Sequence, residues 1–110
     1  MKKKFKDAFR GILTGLHHQS IVIQFMLACL AVLAGLFMKL NGAEWVAVVL
    51  CIGGVITAEM LNTCIEKICD MYTTEYREEI KVIKDIAAGA VLVISAAALI
   101  VALIILAAHL

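Results

Sequence analysis

The chain has 110 residues, 64% of them hydrophobic, with no proline and a formal net charge of +1. Soluble domains are roughly 45–50% apolar, so this composition, with a mean hydropathy of +1.01, excludes a water-soluble globular class and points to lipid as the solvent. Basic and acidic residues nearly balance, and no nucleic-acid partner is expected.

Phe5, Phe9, Ile12, Leu13 and Leu16 recur at helical spacing, while Lys4, Lys6, Asp7, Arg10 and Thr14 fall mostly elsewhere. That pattern predicts a surface helix over about 4–17, lying on the bilayer with its apolar side down. A span needs about 20 mostly apolar residues, and three runs qualify: 21–38, 45–64 and 86–108. The first follows a basic amphipathic segment and ends in a short polar turn rather than a cleavage site, so it reads as a retained span. Asn41-Gly42 is expected to break the chain before Trp45, an interfacial aromatic. Nothing interrupts the second helix after Gly54, which predicts that it continues past the bilayer edge to about Tyr72.

Thr73, Thr74 and the charged EYREEIK segment are read as a short link, with Lys84 and Asp85 opening the third span. That span is rich in Ala and Gly, which allow close helix approach in lipid. The predicted fold is an all-α integral membrane protein, one domain over 1–110, with three transmembrane helices plus the N-terminal amphipathic helix. Three spans in so short a chain enclose little interior, which predicts a homo-oligomer.

Lys2, Lys3, Lys4, Lys6 and Arg10 precede the first span, Lys39 alone separates the first two, and Lys67, Arg77, Lys81 and Lys84 separate the last two. The positive-inside rule then puts the N-terminus and the second connection in the cytoplasm and the C-terminus outside, in a cell inner or plasma membrane. The four cysteines form no C-x-x-C pair and read as small packing residues. His17 and His18 diverge by about 100° on a helix and cannot jointly clamp a metal.

The informative stretch is AEMLNTCIEKICD, Ala58 to Asp70. On a helix, Glu59, Asn62, Glu66 and Asp70 fall within an arc of roughly 80°, with Thr63 beside them. Glu59 lies inside the hydrocarbon boundary, and Glu66 and Asp70 lie at or beyond it. An acid within a bilayer costs roughly 2.5–3.5 kcal/mol on insertion scales, so Glu59 needs a partner or a purpose. Taken singly, Glu66 and Asp70 would be a solvated helix end; their alignment with Glu59 and Asn62 favours a site. Carboxylates one turn apart suit Mg²⁺ shared with substrate phosphates, and Lys84 supplies positive charge for phosphate. Together they suggest phosphoryl transfer at the inner membrane surface, at a nucleotide site that is not a P-loop.

AEMLNTCIEKICD, followed after a short link by KDIAAGAVLV, resembles the small prokaryotic diacylglycerol kinase family, which includes undecaprenol kinases. The resemblance runs from about Phe5 to the C-terminus. It implies a homotrimer of three-span subunits that transfers the ATP γ-phosphate to a membrane lipid alcohol, with sites shared between neighbours. By position, Glu59 resembles the catalytic base, Asn62 a residue orienting the site, and Glu66 a metal ligand. Asp70, Lys84 and Asp85 resemble the nucleotide-contacting residues.

One segment departs from the family pattern. Members usually carry a second metal-binding glutamate just before the first span, often followed by Arg-Asn; here the segment reads GLHHQSIVIQF. Counting back from Glu59 puts that metal position at His18, and counting forward from Arg10-Gly11 puts it at Gln19. Neither supplies a carboxylate, and a neutral ligand weakens Mg²⁺ binding. Within the family, the AAGAVL tract and Glu44-Trp45 incline the acceptor toward undecaprenol over diacylglycerol. The competing readings are a small proton-coupled transporter, which predicts four spans and an isolated mid-bilayer acid, and a catalytically weakened relative.

Overall fold

The computed structural model describes residues 2–110, which form four helices: α1 (Lys2–Gly15), α2 (Gln19–Met38), α3 (Gly42–Tyr72) and α4 (Glu78–Ala108). Among the described residues α2, α3 and α4 are each long and apolar enough to cross a membrane, and the all-α, three-span fold with an N-terminal amphipathic helix is as expected. On α1, Phe5, Phe9 and Leu13 are well exposed, as a helix resting on lipid requires.

α1 ends at Gly15, short of the expected 17. Leu16 N–H is shared between the Ile12 and Leu13 carbonyls, and His17 and His18 N–H donate to the Thr14 and Gly15 carbonyls, tightening the chain into an i→i+3 turn. His18 then takes an extended backbone as the residue capping α2.

The α2–α3 turn works differently from the expected Asn41-Gly42 break. Lys39 sits in the left-handed region (φ 58°, ψ 58°) and ends α2, its N–H reaching back to the Leu36 carbonyl. Asn41 caps α3: its Oδ1 accepts from Glu44 N–H at 2.9 Å while Glu44 Oε1 accepts from Asn41 N–H at 3.0 Å. This reciprocal box satisfies two orphan donors, and Gly42 simply begins the helix. Gly35 admits the Trp45 ring: a Cβ there would lie 2.8 Å from Trp45 Cη2.

α3 runs to Tyr72 as expected. α4 starts earlier than the expected span, because Glu78 and Glu79 occupy its first turn, where the helix dipole favours carboxylates. Much of EYREEIK is therefore helix, and the link shortens to residues 73–77. At 31 residues each, α3 and α4 are about 46 Å long, well beyond a hydrocarbon core of about 30 Å. The surplus leaves about 16 Å of each helix beyond such a layer.

α3 is the central element, packed along α4 and, less extensively, along α2. Asp70 lies opposite Lys84, and Gly54 lies opposite Ile94, whose Cδ1 would be 3.1 Å from an added Cβ. A cleft of about 530 Å³ between the three spans is lined mainly by small and branched apolar side chains such as Ala28, Val55 and Ala98. The buried hydrophobic residues, Ile21, Cys69, Ala87 and Ile105, are few, so packing within one chain covers little of its apolar surface.

Candidate active site

The Asp70–Lys84 and Gly54–Ile94 contacts bracket a stretch of α3 flanked by α4, and Glu59, Asn62 and Glu66 lie within it. Glu59 and Asn62 are the buried polar residues among those described, each 9% exposed. The Glu59 carboxylate takes no hydrogen bond or ion pair among the described residues. Its backbone carbonyl accepts from Thr63 Oγ1 at 2.9 Å, a back-bond of the kind that bends helices slightly.

Asn62 Nδ2 donates to Glu66 Oε1 at 3.0 Å, whereas buried Asn62 Oδ1 has no partner. An unpartnered buried acceptor costs about 1–3 kcal/mol, which marks this face as open to an external donor. Glu66 is exposed, so one turn of helix carries the stripe from a buried amide to a water-facing carboxylate.

Asp70 and Lys84 come together, Lys84 Nζ donating to Asp70 Oδ1 at 2.9 Å across the two helices. Asp85 is engaged elsewhere: Lys81 Nζ donates to its Oδ2 at 2.6 Å, one turn back on α4. The Lys81–Asp85 spacing of i,i+4 was the available signal for that pair. In the link, Tyr76 OH donates to Glu78 Oε2 at 2.6 Å, which holds the phenol proton and raises its pKa above the ordinary range.

The two residues at the expected second metal position part company. His18 faces a groove between α1 and α3 that also includes Thr63, Cys64 and Lys67. Gln19 is exposed at the first position of α2 and does not line that groove. Among the described residues no three His, Cys, Asp or Glu side chains converge as a metal cage. The donors that remain, the Glu66 carboxylate with the Asn62 amide beside it, fit a Mg²⁺ mode in which one protein carboxylate is completed by phosphates and water.

An all-helical membrane protein with buried acid and amide groups on one helix face is the class that fold and site define. The family described as prokaryotic diacylglycerol kinase matches residues 6–106, and the chain belongs to that family. It is similar to the undecaprenol kinase of Bacillus subtilis (strain 168), at 36% identity over 104 residues, 94% of this chain and 85% of the relative. The chain is thus a membrane kinase that phosphorylates the hydroxyl of a lipid alcohol. Three spans and this kinship displace the transporter reading.

Proposed function

We propose that the enzyme transfers the γ-phosphoryl group of ATP to undecaprenol at the cytoplasmic face of the membrane, with diacylglycerol as the alternative acceptor. The observation that carries this reading is the unpartnered carboxylate of the buried residue Glu59, on one helix face with the unsatisfied Asn62 oxygen and the exposed Glu66. The choice of undecaprenol rests on the Bacillus subtilis relative.

In this reading Glu59 accepts the hydroxyl proton as the lipid oxygen bonds to the γ-phosphorus and the bond to the ADP oxygen breaks. Lipid alcohol and ATP become lipid phosphate and ADP, with the proton on Glu59. Asn62 Oδ1 accepts from a donor in the bound substrates, while its Nδ2 holds Glu66 in position. Glu66 would hold Mg²⁺, which when bound neutralises phosphate charge. Lys84 reaches the nucleotide phosphates, with Asp70 orienting its ammonium group, and Asp85, paired with Lys81, is the further nucleotide contact.

The topology that suits this chemistry has α1 and the 73–77 link in the cytoplasm and the C-terminus outside. One membrane-embedded domain associates as a homotrimer, which would cover the apolar surface that a single chain leaves open.

The test is phosphoryl transfer from γ-labelled ATP in mixed micelles containing undecaprenol or diacylglycerol. Label is expected in undecaprenyl phosphate, with less or none in phosphatidic acid. Preferential labelling of diacylglycerol would reverse the acceptor assignment. No label in either lipid, with Mg²⁺ supplied, would leave a catalytically weakened relative, the outcome that the missing carboxylate at His18 or Gln19 favours.

A further inference from the structure

A polyphosphate approaching the stripe meets side chains of its own sign. Glu66 and Asp70 on α3 and Asp85 on α4 stand there with Lys84, whose ammonium is already hydrogen-bonded to Asp70 at 2.9 Å. A single ammonium among those carboxylates leaves the face repulsive to a nucleotide. With no carboxylate at His18 or Gln19, bound metal can also take up less of the phosphate charge, so side chains must take up more.

The nearby cations have other places. Arg77 lies over the Tyr72 ring, 5.7 Å from its centroid, and Lys67 lines the groove between α1 and α3. On α4 the basic residue that remains is Lys81. At about 100° per residue it lies about 60° from Lys84 and about 40° from Asp85. It therefore falls between the two in angle, one turn nearer the 73–77 link.

The contact that Lys81 makes is a poor device for holding a helix. Its Nζ donates to Asp85 Oδ2 at 2.6 Å, with the two side chains 53% and 63% exposed, and ion pairs so exposed are held weakly. The lysine precedes the acid, which is the less favourable order along a helix. It also stands in the opening turns of α4, where the dipole disfavours a cation. An ammonium placed against these preferences suits an anion brought from outside.

We infer that Lys81 is a second phosphate-contacting residue, exchanging Asp85 for the phosphates of ATP when the nucleotide binds. The exchange frees the Asp85 carboxylate for its own nucleotide contact and sets two ammonium groups, those of Lys81 and Lys84, against the polyphosphate. Lys81, nearer the link, takes the phosphates next to the nucleoside, and Lys84 takes the transferred end. The inference rests on the nucleotide site proposed above and deepens it.

The experiment measures equilibrium binding of labelled ATP and ADP to the full chain in micelles with Mg²⁺ and no lipid alcohol. Lys81→Gln should weaken both nucleotides about tenfold, the worth of one charge-assisted contact, and Lys81→Arg should bind within about twofold of the wild type. Lys39→Gln, a charge removed at the α2–α3 turn, should bind as the wild type does. The same Lys81→Gln change is then made in an Asp85→Asn chain. A further loss there is expected, because the ammonium touches phosphate directly; no further loss would mean that Lys81 acts only through Asp85 and would overturn the contact. An equal loss in Lys39→Gln would reduce the effect to diffuse charge and overturn it as well. If the wild type binds ATP and Lys81→Gln binds it equally well, this inference alone falls. A wild type that binds neither nucleotide would bring down the ATP site and the inference together.

Discussion

The start of α3 and its middle treat polar groups in opposite ways. At one end Glu44 accepts from Asn41 N–H and also meets His109 Nε2 at 2.9 and 3.0 Å, closing the α2–α3 turn and the last residues of the chain into one network. Midway along α3 the Glu59 carboxylate has no partner among the described residues, and Asn62 uses its amide nitrogen but not its oxygen. Groups that serve the fold find partners within the chain. Of the groups placed at the site, the Glu59 carboxylate and Asn62 Oδ1 wait for partners from outside, and the cost of leaving them unpaired is borne by the rest of the structure.

The sharpest way to break this contrast is Glu59→Gln, which keeps shape and removes both the charge and the basic oxygen. Transfer should fall by about 10²–10⁴, the usual worth of a positioned base, while the thermal midpoint in detergent rises because a neutral amide is cheaper to bury than a carboxylate. The two readouts must separate. A lower midpoint accompanying the lost rate would make Glu59 a structural residue, and an unchanged rate would remove it as the base.

A smaller effect is expected at the start of α2, where the site lacks its second carboxylate. Gln19→Glu and His18→Glu are to be compared by the Mg²⁺ concentration giving half-maximal transfer. Gln19 is exposed and does not line the α1–α3 groove, whereas His18 does. The requirement should drop several-fold for one of the two variants and stay near the wild-type level for the other. Equal responses would mean that neither position faces the metal.

The spans and the stripe are legible from sequence because both rest on period: runs of about 20 apolar residues, and acids three or four positions apart on a helix that no residue interrupts. The extension of α3 to Tyr72 follows from the same continuity. Cross-helix partnerships are not legible in this way. The Asp70–Lys84 bond depends on the antiparallel register of α3 and α4, which emerges only from packing such as Ile94 against Gly54. Asp85 stands with Lys84 on the family pattern, and its pairing with Lys81, one turn back, is a contact that helical i,i+4 spacing allows. At the α2–α3 turn the chain breaks where Asn-Gly signals it, though the sequence does not show that Asn41 serves as a cap and that the left-handed position falls on Lys39.

That left-handed Lys39 gives the smallest effect and completes the comparison. A side chain with a Cβ at φ 58° carries a steric cost that glycine avoids, and glycine is the residue most often found at this position after a helix. Lys39→Gly removes the strain but gives back part of it as extra chain entropy in the unfolded state, for a net gain of up to about 1 kcal/mol. The gain should appear as a higher thermal midpoint with no change in transfer rate, since the turn lies about 25 Å along α3 from Glu59. At the open middle, Glu59→Gln also raises the midpoint, but only by giving up the reaction. If Lys39→Gly lowered the rate as well, the two regions would be coupled through α3, and the division between a closed structural start and an open chemical middle would fail.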